Sequence, residues 1–501
     1  MLWLIVVGSL ARLAAAWNGG LCWGESYHFS SALRPSLSYF DHPPLSILLG
    51  SLSLALTGEV GPLVLRWPFI ALFAGTTWLM FLLGRRLFGR WPGFYAALLL
   101  NLSPVFSLSV GIFLQPDGPL MFFWLACVWC LAHLLVGPPA ARPLAWWAAA
   151  GAMLGLALLS KYQALLLVVG AGMWVLTRRD QRRWLAHPGP YLALAIAALL
   201  FSPVLAWNAQ HRWASFLFQS TRGLDDYGGL HLGWVLWNVG GQSLELLPWI
   251  WAALVVELVR SFGCRASQPQ RPFIAWLAVT PIVLFTAVAA YASAGQAHFH
   301  WGMAGYILLF LPLGDTVHRG LARGSAFYRR ALAATAVIAP LVLIVAVTHT
   351  TTGWLNRLRL SEALARVEDP TLECIDFTGL ERAFAERGLL GRSDVFVFSD
   401  WWFRTGKVDY ALKGKLPVLA FNARDPRGFA FFDRSERWLG KDGILVTTKT
   451  SAKEVADHYG RYFARISPLG EVAVGRGGRT EMTLYLYRCE ELQTPYPRPY
   501  G

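Results

Sequence analysis

The stretch LAWWAAAGAMLGLALLSKYQALLLVVGAGMWVL, Leu144 to Leu176, contains one charged side chain, Lys161. Each half is an apolar run of about the length that crosses ~30 Å of hydrocarbon as a helix. Arg142 precedes the first half, and Arg178, Arg179, Arg182 and Arg183 follow the second. Two membrane helices joined by a Ser160-Lys161-Tyr162 hairpin are the simplest reading, with both arginine-bearing ends on one side of the bilayer.

The same pattern extends in both directions. Apolar runs of about 16 to 25 residues are bounded by Arg, Pro, Gly or polar clusters at Leu2 to Trp17, Leu63 to Leu83, Pro92 to Ile112, Pro119 to Val136, Leu144 to Leu159 and Tyr162 to Leu176. They continue at Tyr191 to Trp207, Leu232 to Leu258, Phe273 to Ala292, Trp301 to Val317 and Ala331 to His349, which makes eleven predicted helices. A chain that is 55% hydrophobic and only 15% charged is too apolar for an ordinary soluble protein. Loop arginine and lysine divide fifteen to four between the two sides, so the richer side is predicted to be cytoplasmic. The N-terminus then lies inside and the C-terminal region outside. The first run lacks a basic flank, and the topology needs it, so it reads as a span and not as a cleaved signal peptide.

The net charge of +14 does not indicate nucleic-acid binding. Residues 1–353 hold 21 Lys+Arg against 10 Asp+Glu, and the remainder 23 against 20. The excess belongs to the membrane part, where it sets topology.

After Thr352 the composition becomes that of a soluble α/β domain. Runs at Val395 to Phe398, Pro417 to Phe421, Ile444 to Thr448 and Met482 to Tyr487 read as strands, and Ser361 to Arg366 and Ala452 to Tyr459 as helices. The predicted organisation is a membrane domain over 1–352, with a long first outer loop at 18–62, and an outer domain over 353–501. Cys127 and Cys130 lie in an apolar span at helical spacing and read as packing residues. Cys374 and Cys489 bracket the polar region and form a candidate disulfide, while Cys22 and Cys264 have no evident partner.

Charged residues gather at the outer ends of the spans: Glu25, Asp41, His42, Asp117, Lys161, His298 and His300. Charge at membrane depth is costly, and its clustering on one side marks a candidate site. Transfer of a sugar from a lipid phosphate needs a carboxylate for the acceptor proton and positive charge for the leaving phosphate. Glu25, Asp41 and Asp117 are candidates for the first role; His42, Lys161 and Arg66 for the second. Asp41 and His42 are followed by Pro43 and Pro44, which stiffen the loop and fix its direction. His298 and His300, with Asp41, are candidates to hold a divalent metal ion, although a His-x-His spacing alone is a weak signal. Structural alternatives stand beside each reading. Glu25 would otherwise be a solvated loop carboxylate, Asp117 a helix cap and Lys161 a snorkelling lysine. Arg12 and Arg66 could equally be embedded structural charges.

Four segments occur in a recognisable order: Tyr39-Phe40-Asp41-His42-Pro43-Pro44-Leu45, Gln115-Pro116-Asp117-Gly118-Pro119, Leu158-Leu159-Ser160-Lys161-Tyr162 and Ser202-Pro203-Val204-Leu205-Ala206-Trp207-Asn208. Together they resemble the bacterial dolichyl-phosphate-mannose protein mannosyltransferase-like family of GT-C glycosyltransferases, over roughly Leu21 to Trp301. The related lipid A aminoarabinose transferases carry an acidic-basic-Pro-Pro motif in the same loop, as Asp41-His42-Pro43-Pro44 does here. The resemblance implies an inner-membrane enzyme that moves a sugar from a polyprenyl-phosphate donor to a glycolipid, polysaccharide or protein acceptor of the envelope, on the periplasmic face and with inversion. It also implies phosphate or metal contacts for Asp41 and His42; with the reading of the residues, Glu25, Asp117 and Asp41 are the expected catalytic residues and Tyr39, His42, Lys161 and Arg66 the expected substrate contacts. The family usually opens its first outer loop with an Asp-Glu pair, and this chain has Gly24-Glu25. A lipid or sugar transporter, and a noncatalytic protein that binds the lipid carrier, remain the rival readings.

Overall fold

The computed structural model describes residues 1–138, 140–221, 229–264, 268–291, 299–358 and 369–500. His298 and the expected helix Ser361 to Arg366 lie outside them. The chain divides into two compact units. One comprises Met1–Ala14, His42–Ser46 and Trp67–Leu343; the other comprises Ala15–Asp41, Ile47–Arg66 and Ile344–Gly501.

The first unit is a helical membrane bundle, and among the described residues the expected apolar runs fall largely on helices. Among the described residues, six helices are long and apolar enough to cross a membrane: Pro62–Leu87, Asp117–Leu135, Pro143–Ser160, Pro188–Gln210, Gln270–Val288 and Ala326–Thr352. Two further pairs, Leu2–Asn18 with Trp23–Ala32 and Leu232–Leu246 with Pro248–Phe262, pass that test together, which raises the number to as many as eight. The run expected as one span over Leu232 to Leu258 is therefore broken, with a bend of 109°. Leu247 sits at the break with φ 73°, and Pro248 follows. A proline disfavours helical backbone at the residue before it, so the break is written into the sequence.

Small residues let these helices pack closely, as expected where there is no water to drive association. A Cβ on Gly151 would overlap the backbone of Ala193, so Pro143–Ser160 and Pro188–Gln210 meet main chain to main chain there. Two buried arginines of this unit are held by hydrogen bonds. Arg271 donates to Glu257 at 2.8 Å and to Asp315 at 2.6 Å, which ties three helices together. Arg12 donates to Asn101 Oδ1 and Ser107 Oγ, both at 2.9 Å, and lies over the Phe73 ring. Its role is structural.

The second unit contains a five-stranded sheet of order β2-β1-β3-β5-β4. Its strands are β1 Val395–Ser399, β2 Val418–Ala420, β3 Asp442–Thr447, β4 Phe463–Arg476 and β5 Arg479–Leu492. β2, β1 and β3 are parallel, and β3, β5 and β4 antiparallel. The expected strands and the helix Ala452–Tyr459 are present. β4 was not expected. Its residues alternate between buried and exposed only near its end, and Pro468 and Gly470 mark a bulge where the register shifts. The expected Cys374–Cys489 pair does not form. Cys374 is bonded to Cys22, and Cys489 is a free, buried thiol. Cys489 lies on β5 opposite Gly443, inside the sheet core, where it has no route to Cys374.

Candidate functional site

The predicted site residues fall into three groups. Glu25 and Arg66 form the first, in the second unit. Cys22 is the N-cap of the helix Trp23–Ala32, and Glu25 stands three residues on, where its Oε2 accepts the Cys22 N–H at 3.0 Å. This is the carboxylate half of a capping box. Arg66 Nε donates to Glu25 Oε1 at 2.8 Å, and Nη2 to Oε2 at 2.6 Å. The same guanidinium reaches the carbonyls of Ala16, Gly19 and Gly20. Glu25 is fully buried and Arg66 nearly so. A carboxylate with both oxygens engaged by a buried guanidinium is poorly placed to take a proton from a substrate. Arg66 is likewise committed to the chain and not turned toward a phosphate.

Lys407, which sequence reasoning missed, belongs to this group. Its ammonium is buried and donates to the carbonyls of Leu21 and, at 2.7 Å, of Ile375. Burial lowers its pKa to about 8, partly offset by Asp376 and Glu25. Asp376 is pushed up by burial, against the pull of Lys407 and Arg66. The group is a buried set of charges around the Cys22–Cys374 bond.

Asp41 anchors the second group. Its Oδ1 accepts the Tyr27 hydroxyl proton at 2.8 Å, and its Oδ2 lies 3.6 Å from Arg427 Nη1. The Tyr27 oxygen in turn accepts the Gly428 N–H at 3.0 Å. Arg427 also meets Asp425 at 3.0 Å and stacks over Trp402. Arg427 was missed because it stands in an irregular Asp425-Pro426-Arg427-Gly428 turn, with no pattern to single it out. Tyr39 is buried and uses its hydroxyl on its own loop, accepting from Ser36 N–H and donating to the Arg34 carbonyl. It shapes the loop.

The third group, in the membrane bundle, has the composition expected of a site for a phosphorylated lipid. Asp117 opens its helix and is buried, and Lys161 Nζ donates to both of its oxygens, at 2.9 and 3.1 Å. His42 and His300 lie within electrostatic reach of Asp117. Lys161 sits in extended backbone between Pro143–Ser160 and the following 3-10 turn, so the hairpin aims its side chain at Asp117. Glu245 completes the group. It too lies within electrostatic reach of Asp117, and its Oε2 is buried without a hydrogen-bond partner among the described residues. Sequence reasoning passed over Glu245 because it treated Leu232 to Leu258 as one uninterrupted span. Its charge inside that run, two residues before the Leu247 break, was the available signal.

Among the described residues, no group of three or more His, Cys, Asp or Glu side chains is arranged to hold a metal ion. Asp41, one of the expected ligands, faces a tyrosine hydroxyl and an arginine, which is a setting for a carboxylate and not for a cation.

Residues 41–207 match the model of the dolichyl-phosphate-mannose-protein mannosyltransferase family. No curated protein matches the chain significantly. Among solved structures, ArnT from Cupriavidus metallidurans bound to undecaprenyl phosphate superposes with TM-score 0.63 at 15% identity, over 97% of each chain. The archaeal oligosaccharyltransferase AglB from Archaeoglobus fulgidus, in complex with an inhibitory peptide and a dolichol-phosphate, gives 0.53 at 13% identity, over 89% of this chain and 69% of that one. The arabinofuranosyltransferase AftD from Mycobacteria gives 0.51 at 16% identity, over 98% of this chain and 40% of that one. The family resemblance read from the four sequence segments is therefore borne out: this chain is a multi-pass membrane protein with the GT-C glycosyltransferase fold.

Proposed function

We propose that this chain is a glycosyltransferase that moves a sugar from a polyprenyl-phosphate donor to an envelope acceptor, a glycolipid, polysaccharide or protein, on the extracytoplasmic face of the inner membrane. The observation that carries this reading is the Asp117–Lys161 pair with His42 and His300 in its field, within and beside the matched segment. Lys161, held by Asp117, and the two imidazoles supply positive charge for the donor phosphate. Asp41, next to His42 in sequence, is a further candidate for a donor contact.

In the reaction the acceptor oxygen attacks the anomeric carbon and a new C–O bond forms there. The bond from that carbon to the phosphate oxygen breaks, and polyprenyl phosphate leaves with the electron pair. Attack opposite the leaving group inverts the centre. The acceptor proton needs a carboxylate, and we assign it to Glu245, whose buried Oε2 has no donor within the described residues, in preference to the fully engaged Glu25. The extracytoplasmic orientation draws support from the fifteen-to-four arginine and lysine bias and from the Cys22–Cys374 disulfide, which suits an oxidising compartment.

The test is consumption of polyprenyl-phosphate sugars by detergent-purified protein. Lys161→Ala is expected to slow turnover by about 100-fold or more, as for a lost transition-state charge contact. Donor binding without turnover in the unaltered protein would instead establish the noncatalytic carrier-binding reading, for which Gly24 in place of the family's usual aspartate is the supporting observation. Substrate movement across a vesicle without cleavage of the sugar-phosphate bond would establish a transporter.

A further inference from the structure

Two adjoining cavities lie at the arginine-rich ends of four bundle helices. The first, of about 220 Å3, is lined by Leu131, Trp147, Leu154, Val168, Gly172 and Tyr191, among others. The second, of about 340 Å3, is lined by Gln181, Arg183, Trp184, His187, Gly137 and Pro143, among others. They share Leu135 and Trp184, so an apolar chamber opens beside a polar one. Both are remote from Asp117. That residue begins the helix Asp117–Leu135, and Leu131 to Leu135 end it, ~20 to 27 Å further along the axis.

Polar atoms here lack partners. Among the described residues, Trp147 Nε1, Trp184 Nε1 and Gln181 Oε1 are buried with no hydrogen bond, and all three residues are more than nine-tenths buried. Arg86 Nε is also buried without a partner, and this guanidinium lies 3.9 Å from the position a Cβ on Gly137 would take. His187 Nδ1 accepts the Gly189 N–H at 3.0 Å, which puts the ring proton on Nε2. Buried donors left unsatisfied cost free energy and call for an acceptor. The two indole N–H donors, with two guanidinium groups nearby, suit phosphate oxygens, while Gln181 Oε1 is an acceptor that calls for a hydroxyl donor. Arg178, Arg179 and Arg182 adjoin it in the same loop.

We propose that this pair of cavities is a binding site for an anionic glycerophospholipid of the cytoplasmic leaflet, with one acyl chain in the apolar chamber and the phosphodiester headgroup against Trp184, His187 and Arg183. Four helices, Asp117–Leu135, Pro143–Ser160, Leu165–Thr177 and Pro188–Gln210, contribute to its walls. The lipid fastens together the far ends of the helices that carry Asp117 and Lys161. The site stands independently of any transfer reaction.

The experiment is native mass spectrometry of the full-length protein in detergent, titrated with phosphatidylglycerol and phosphatidylcholine of the same acyl composition. A specific phosphatidylglycerol adduct is expected. Arg183→Gln should weaken it by roughly fivefold, the effect of one basic residue beside an anionic lipid, and leave phosphatidylcholine unchanged. Gly172→Leu adds bulk to the lining of the apolar chamber, at a position where a Cβ meets nothing within 4 Å, and should reduce retention of both lipids. Thermal unfolding of each variant establishes that it is folded, and Arg183→Gln, at an exposed side chain, carries the test alone if Gly172→Leu is not. Equal retention of both lipids, unaltered by Arg183→Gln, overturns the proposal in favour of a nonspecific lipid belt. Saturation by glycerol 3-phosphate with no need of an acyl chain overturns it in favour of a free phosphate site.

Discussion

Arg66 and Glu25 face each other through two parallel hydrogen bonds, at 2.8 and 2.6 Å, with neither side chain in contact with bulk solvent. Removing one charge of such a pair leaves the other buried and uncompensated. Glu25→Gln is therefore expected to destabilise the fold by about 3–5 kcal/mol, and the thermal midpoint of the detergent-purified protein reads it. An unchanged midpoint together with slow turnover would return Glu25 to the role of proton acceptor that the family resemblance implies for it.

Glu245 gives the opposite expectation. Its Oε2 has no donor to lose among the described residues, so Glu245→Gln should keep the protein folded and able to bind donor. Turnover should fall by about 100-fold to 10,000-fold, the range for a lost acid–base group. Near-normal turnover in Glu245→Gln would move the proton to Asp41 or Asp117, and the corresponding asparagine variants would then decide between them.

The Cys22–Cys374 bond closes a loop across 352 positions of sequence. Loss of a native disulfide typically costs about 2–5 kcal/mol. The double variant Cys22→Ser with Cys374→Ser should show that loss as a lower denaturation midpoint, and the unaltered protein should migrate faster on a non-reducing gel. Full labelling of both thiols in native, unreduced protein would show that the bond is absent.

Lys407 predicts a pH dependence of stability. Burial brings its pKa to about 8, below the ordinary 10.5 of an exposed lysine. Below about 8 both states hold the proton, and the folded state bears the cost of a buried ammonium. Between about 8 and 10.5 the unfolded chain holds more protons, so this group's contribution to stability rises with pH across that interval and is level above it. Lys407→Met should remove that rise while leaving the rest of the profile in place. Parallel profiles for the two proteins from pH 7 to 10 would refute the assignment.

The membrane architecture was legible because its signal is redundant. A run such as Leu144 to Leu159 needs only composition and length to be read. The Asp117–Lys161 pair was half legible. Each residue stood out as a charge at a span end, but nothing in the spacing says that Lys161 Nζ reaches both Asp117 oxygens. Glu25 is more enclosed than its sequence context suggests, for a physical reason. A carboxylate in a polar loop looks available, and only the fold brings Arg66, 41 positions away, to occupy it. The disulfide failed in the same way: Cys22 and Cys374 are distant in sequence, and Cys374 and Cys489 seemed a natural pair only because both border the polar region. Arg427 and Lys407 sit in a domain whose other charges are mostly solvated, so nothing in composition separated them from their neighbours.

That long covalent tie also sets an order of events in the cell. One sulfur leaves the ribosome 352 residues before the other, a delay of roughly 20 to 70 s at ordinary rates of synthesis. Throughout that interval the nascent protein carries an unmatched thiol. Closure can happen only after the last membrane segment has been threaded and the carboxyl-terminal domain has begun to fold. The bond is thus a record of completed assembly: a molecule truncated before Cys374, or inserted with that domain on the wrong side, keeps Cys22 open to alkylating reagents and can be counted by them.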